Sequence, residues 1–223
     1  MKKKIMLIAL AITAIPILAA CRQTDIIGNT SIKSFEAVIQ AGGGSIAPDD
    51  QIGGWALTAP DGTSRFVWSR DFSKTEFDIM VETDVQPFIN AGLDKSKLPD
   101  GMVSGDKIVV GTDLGSDELK YEGDTTPIAS YEKIVELYRE YIGYHAALDH
   151  YGVDLTGGNM FEWAKDMRKN DKDIVFVLDP EVFLNAGVDP AKVEGWLFAK
   201  VSKMDEKGRP VEVDKFLKPF DIK

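Results

Sequence analysis

The side chains with the greatest chemical reach in this sequence are few. Its only histidines are His145 and His150, five positions apart. On a helix that spacing sets them about 140° apart around the axis, whereas a zinc pair of the HExxH kind wants a separation of four. Read that way, they hold no metal. Four aspartates form two matched pairs, Asp71 with Asp166 and Asp78 with Asp173. Paired carboxylates serve general acid–base chemistry or calcium binding. A calcium loop needs ligands at alternate positions, however, and the chain has no DxDxDG-like run. Tyr138, Tyr141 and His145 share one face of a helix predicted from Tyr131 to about His150, together with Ile134 and Leu148. That face is either packed core or the aromatic wall of a ligand cleft between two halves. These three are the candidate ligand-binding residues. No catalytic residue, metal ligand or cofactor is expected. A Ser-His-Asp order, GxSxG, a P-loop and GxGxxG are all missing from credible contexts, and the glycines at 42–44 follow a helix instead of opening one, which does not suit a phosphate cradle.

The elements that must position these residues come from a duplication. Phe66–Leu98 and Phe161–Val193 align without a gap at an offset of 95, and 13 of the 33 positions are identical. A shorter echo, Ser34-Phe35-Glu36 against Ser130-Tyr131-Glu132, lies at offset 96. Two copies with so long a period make a duplicated domain, or one domain with pseudo-two-fold symmetry, and not a solenoid. The predicted fold is α+β, internally duplicated, with two related halves that each pack short helices on a small, mostly antiparallel sheet. The halves are placed at residues 34–112 and 130–223, joined by an acidic linker at 113–129.

Within that frame, Ser34 is the predicted N-cap of a brief helix ending near the glycines at 42–44. Trp55–Thr58 and Arg65–Trp68 read as a hairpin around Pro60-Asp61-Gly62. Phe77–Thr83 and Lys107–Gly111 are further strands. Asp84 and Asp179 are the predicted N-caps of short helices that Gly92 and Gly187 end, and Asp94 and Asp189 cap a following turn. In the second half, Gly195–Met204 and Val211–Phe216 pair around a turn. Asn159–Asn170 has a helical look of its own, but its twin in the first copy is a strand, and the duplication decides for strand. Trp68 and Trp163, at matched positions, are core anchors. Trp55 and Trp196 have no matched role.

The amino terminus reads MKKKIMLIALAITAIPILAAC: three lysines, a 16-residue apolar run interrupted by Pro16, then Leu18-Ala19-Ala20-Cys21. The run is short for a spanning helix. In this order of features, residues 1–21 resemble the signal peptide and lipobox of bacterial lipoproteins. The resemblance implies removal of residues 1–20, lipid on Cys21, a tether over 21–33, and a body held to a bacterial membrane outside the cytoplasm. Arg22 follows the cysteine where aspartate would signal retention at an inner membrane. Cys21 is the sole cysteine, so internal disulfides, a CxxC centre and a cysteine zinc cluster are excluded.

Without residues 1–20, which hold three lysines and no acid, 23 basic residues face 36 acidic ones, a formal net charge of −13. Such a surface does not recruit nucleic-acid phosphates. The expected function is a lipid-anchored extracytoplasmic protein that binds a protein or small ligand and is not an enzyme. The alternatives are an extracytoplasmic hydrolase using repeat carboxylates such as Asp71 or Asp166, and a small solute-capturing lipoprotein of a transporter.

Overall fold

The computed structural model describes residues 26–51, 53–70, 72, 77–112, 126–146, 148–167, 172–205 and 207–222. The first half runs α1 (residues 26–42), β1 (Ile46–Asp49), β2 (Gly54–Thr58), β3 (Ser64–Ser69), β4 (Ile79–Asp84), α2 (Gln86–Asn90), β5 (Val103–Ser104) and β6 (Lys107–Thr112). The second runs α3 (Pro127–Tyr138), β7 (Ile142–His145), β8 (His150–Asp154), β9 (Met160–Ala164), β10 (Ile174–Leu178), α4 (Glu181–Asn185), β11 (Leu197–Met204) and β12 (Pro210–Phe220). Each half builds one six-stranded sheet, ordered β1-β2-β3-β4-β6-β5 and β7-β8-β9-β10-β12-β11, with every pairing antiparallel. The fold is α+β with two similar halves, and the topology of one sheet repeats in the other.

The sheets are separate but share one core. Antiparallel strands alternate faces, so one face of each sheet can be wholly apolar. Leu57, Phe66, Trp68, Ile79, Val81 and Ile108 line the inner face of the first sheet, and Val153, Phe161, Trp163, Ile174, Phe176 and Phe216 line that of the second, in a single buried cluster. Trp68 and Trp163 are both fully buried, as their matched positions predict. Trp55, unplaced by sequence, lies under the Arg70 guanidinium, and Trp196 packs edge-on to Phe88 with the Lys218 ammonium over its ring.

Equivalent residues of the two halves touch each other along a line. Phe35 stacks on Tyr131 at 4.0 Å between centroids, Phe66 stacks on Phe161 at 3.8 Å and 2° between planes, and Phe88 meets Phe183 at 4.8 Å with the rings tilted by 33°. Beyond them the Asp94 amide donates to the Ala186 carbonyl (2.9 Å), and the Asp189 amide to the Ala91 carbonyl (2.8 Å). A residue meets its own counterpart only on a two-fold axis, so these contacts trace a pseudo-two-fold through the core. Gly92 and Gly187 flank it with φ of +106° and +96°. A Cβ at Gly92 would come within 2.8 Å of the Gly187 carbonyl oxygen. Glycine is therefore required twice over, for its conformation and for the close approach of two backbones.

The helices are exchanged across this axis. On α1, the Ser34 hydroxyl donates to the Lys165 carbonyl at 2.8 Å, and Thr30 accepts from the Tyr151 hydroxyl at 2.8 Å, both at the second sheet. On α3, the Pro127 carbonyl accepts from the Trp68 indole at 3.0 Å, and the Tyr138 hydroxyl donates to Asp78, both at the first sheet. Each sheet is thus covered in part by the helix of the other half.

Four expectations need correction. Ser34 does not cap a helix, because its hydroxyl serves the second sheet. The helix already runs from residue 26, so 26–33 are not a loose tether, and Ser31 is fully buried with its hydroxyl 3.1 Å from that of Tyr131. The second-half helix does not reach His150. It starts at Pro127, inside the expected linker, with the Thr126 side chain accepting from the Ala129 amide, and it gives way after Tyr138 to a 3-10 turn, Arg139–Tyr141, and then to β7 and β8. The short helices after β4 and β10 stand where Asp84 and Asp179 place them, yet Asp84 does not cap: the residue at the cap is Val85, and Asp84 pairs with Lys107. Asp179 also stands one place before the cap, which is Pro180, though its side chain accepts from the Glu181 amide at 3.1 Å. Asp94 and Asp189 do cap their turns, accepting from Ser96 and Ala191. Linker residues 113–125 lie outside the described residues.

Candidate functional site

With the core shared and symmetric, the halves differ on the faces of the sheets turned away from it. On the first sheet that face carries a small apolar cluster, Ala56, Val67 and Met80, with Val109 packed on it. Beside the cluster, Arg65 bridges Asp49 and Glu82. The second sheet replaces this set position by position. At offset 96 Asp49 becomes His145, Gly54 becomes His150 and Ala56 becomes Gly152, and at offset 95 Val67 becomes Glu162.

The β7–β8 hairpin sets the geometry. Its register pairs Tyr144 with Tyr151, Gly143 with Gly152, and His145 with His150. The tyrosines face inward, 5.2 Å apart, and the histidines and glycines face outward. Glu162 stands directly opposite Gly152 on β9. A side chain at Gly152 would crowd it, since an added Cβ would lie 3.2 Å from Met160 Cε and 3.3 Å from Glu162 Cγ. Across this glycine trough the Glu162 carboxylate reaches both imidazoles. His145 Nδ1 is 3.0 Å from Oε1, and His150 Nδ1 is 3.8 Å from Oε2, too long for a hydrogen bond.

The three side chains differ in access. His145 is 37% exposed, His150 5% and Glu162 7%. His150 Nδ1 is buried with no hydrogen-bond partner. Burial pushes the Glu162 carboxyl upward, but its interactions with His145 and His150 outweigh that and hold it below the ordinary carboxyl value. The hydrogen bond to Glu162 raises the His145 imidazole above its ordinary value against the effect of burial, and the charge of Glu162 adds to the rise. As the side chains stand, no group of three or more His, Cys, Asp or Glu among the described residues is arranged to hold a metal ion.

The sequence-predicted site residues do not converge. Tyr138 is buried and bonded to Asp78 between the halves. Tyr141 ends the 3-10 turn and packs half-buried on the core. His145 faces outward from the second sheet. Two clefts of about 330 Å³ are present, one lined by Arg65, Glu82 and Lys107 among others, the second by Thr30, Lys33, Ser34, Tyr151 and Lys165. None of the three predicted residues lines either.

No protein-family model matches the chain, and no characterised protein or solved structure is significantly similar to it.

The matched aspartates fall in different settings. Asp78 and Asp173 are both buried, and Asp173 accepts from the Ile222 amide at 2.9 Å. Asp166 is exposed just past β9, and Asp71 and Cys21 lie outside the described residues. Sequence reasoning missed Glu162 altogether and placed the histidines on a helix. A signal for the true arrangement was present: GYH at 143–145 and HYG at 150–152 mirror each other about four residues. Mirrored triplets about a short loop put like opposite like in a hairpin.

Proposed function

We propose that the chain is a lipid-anchored binding protein on the outer side of a bacterial membrane. It is held through Cys21, and the outward face of the second sheet is presented to a protein or small ligand. The observation that carries the anchor is the order of features in residues 1–21. The position of α1 limits the reach of such an anchor: the helix is under way by residue 26 and fully buried at Ser31. Five residues of extended chain span roughly 17 Å at about 3.4 Å each. The body then sits against the lipid surface and not on a long stalk. The divergence between the outward faces supports the binding role, because a core that needs both copies alike leaves those faces free to differ.

The test is expression of the full chain in a bacterium, with detergent phase partition and mass measurement of the amino-terminal peptide. The expected result is a detergent-phase protein whose first residue is a lipid-modified Cys21. The Cys21→Ala variant is then expected in the aqueous phase or uncleaved. A cleaved wild-type chain carrying an unmodified Cys21 in the aqueous phase would overturn the reading.

A further inference from the structure

The only two histidines of a 223-residue chain stand opposite each other across a hairpin, on either side of one buried carboxylate. The fold does not require this. In the first half the same positions carry Asp49, Gly54 and Val67, and the sheet forms equally well. A buried carboxylate, a partly exposed imidazole and a buried imidazole are three electron-pair donors around one small space. Protons on the two imidazoles satisfy the carboxylate, and a metal cation in their place satisfies all three.

Distances decide which kind of cation fits. Two donors bound to one zinc-like ion at about 2.05 Å each lie about 3.3 Å apart at the tetrahedral angle. The two nitrogen–oxygen separations here are 3.0 and 3.8 Å, one on each side of that value. A rotation of the His150 ring that closes about half an ångström would bring its nitrogen into range. The present arrangement is therefore not a formed metal site, and on these two distances the shortfall lies at His150. His150 Nδ1 makes no hydrogen bond that such a rotation would break, and burial leaves it no solvent. A buried nitrogen with no hydrogen bond is costly, and the 3.8 Å approach to Glu162 satisfies it only in part.

We propose that His145, His150 and Glu162 bind one divalent transition-metal ion of the zinc, copper or nickel class. Two imidazoles and one carboxylate suit these ions, whereas calcium and magnesium prefer all-oxygen shells. On binding, the proton shared between His145 and Glu162 leaves, so occupancy falls with acidity. Three protein donors leave a fourth position, on the exposed side of His145, for water or a group from a partner. The site is independent of the lipid anchor and stands or falls without it.

The test uses the full chain in non-ionic detergent without a polyhistidine tag. Cobalt(II) serves as the probe, because its visible d–d absorption reports coordination number and ligand type. The expected result is a saturable four- or five-coordinate spectrum at one cobalt per chain, bleached by zinc. It is expected to be lost in His150→Gln and in His145→Gln, and kept in Glu36→Gln, an exposed carboxylate on α1. Thermal unfolding without metal checks that the variants fold, and His145, being partly exposed, is the safer of the two. Ring resonances of both histidines are expected to move with zinc. No cobalt spectrum on the wild type, a spectrum that survives both histidine substitutions, or rings that respond to acid but not to zinc would each overturn the proposal.

Discussion

Replacing Gly92 by alanine tests the pseudo-two-fold axis more sharply than any core truncation. Two costs are involved, and a second glycine separates them. Alanine at positive φ costs roughly 1–2 kcal/mol wherever it occurs. Gly62, in the β2–β3 turn at φ +72°, has nothing within 4 Å of an added Cβ, so Gly62→Ala carries that cost alone. Gly92 has φ +106° and a Cβ position 2.8 Å from the Gly187 carbonyl oxygen, so the halves must part locally for the methyl to fit. The bonds at risk are the reciprocal pair from Asp94 to Ala186 and from Asp189 to Ala91. At about 1 kcal/mol each they add roughly 2 kcal/mol. Gly92→Ala is expected to lose about 3–4 kcal/mol in all, and Gly62→Ala about 1–2 kcal/mol. For a chain of this size that difference is roughly 4–8 °C in midpoint. Urea titrations followed by tryptophan fluorescence and by far-ultraviolet dichroism give both numbers. Equal losses for the two variants would mean that the backbones do not meet at Gly92 and Gly187, and the symmetric packing drawn from the aromatic pairs would fail with them.

Two further predictions follow from the polar groups. His145 is raised from 6.5 and Glu162 lowered from 4.5, so stability from their pair is whole between those ordinary values. It is lost as pH rises through the raised histidine value and as pH falls through the depressed carboxyl value; Glu162→Gln should flatten the metal-free urea midpoint on both flanks, above 6.5 and below 4.5, and an unchanged profile would refute the pairing. The aspartate–lysine pairs at the ends of β4 and β10 give an internal comparison. Lys215 is nearly buried between Asp179 (2.7 Å) and the Gly158 carbonyl (2.8 Å), so Asp179→Ala should cost about 3–5 kcal/mol. Asp84→Ala, which frees the half-exposed Lys107, should cost under about 1 kcal/mol, and equilibrium unfolding decides whether the order holds.

Much of the fold was readable from residue order because its signals are local. Pro60-Asp61-Gly62 fixes a hairpin, Gly92 and Gly187 end helices, and Asp94 and Asp189 cap turns, each through contacts within a few residues. The gapless offset of 95 then carried one half onto the other and settled β9, whose own sequence looks helical. The failures came where tertiary contact overrides local preference. Tyr131, Ile134, Val135 and Tyr138 do lie buried on one helical face, and Tyr141 and His145 continue that spacing by coincidence after the helix has stopped. Ser34 has the chemistry of a cap, but its partner lies 131 positions away. The duplication itself was followed only to residue 98. The β11–β12 hairpin is longer than β5–β6, so Lys107 matches Lys215 at an offset of 108, beyond any gapless comparison. The histidine–glutamate cluster was hidden for a different reason: it depends on the register of three strands, and on Gly152, where a side chain would crowd Glu162.

The crossed helices and the axis between the halves also bear on how such a molecule can change over generations. Two identical chains associated in this way would have to accept every substitution twice. A glutamate placed at the position of Glu162 would arise at that of Val67 as well, in the middle of the apolar patch formed by Ala56 and Met80. A single polypeptide lifts that constraint. One outward face can keep its hydrocarbon surface while its twin gathers both histidines and a carboxylate, and residues on the axis, such as Phe66 with Phe161, stay matched because each is the other's environment. Covalent joining of the copies is what permits one surface to be inventive while the interior remains conservative.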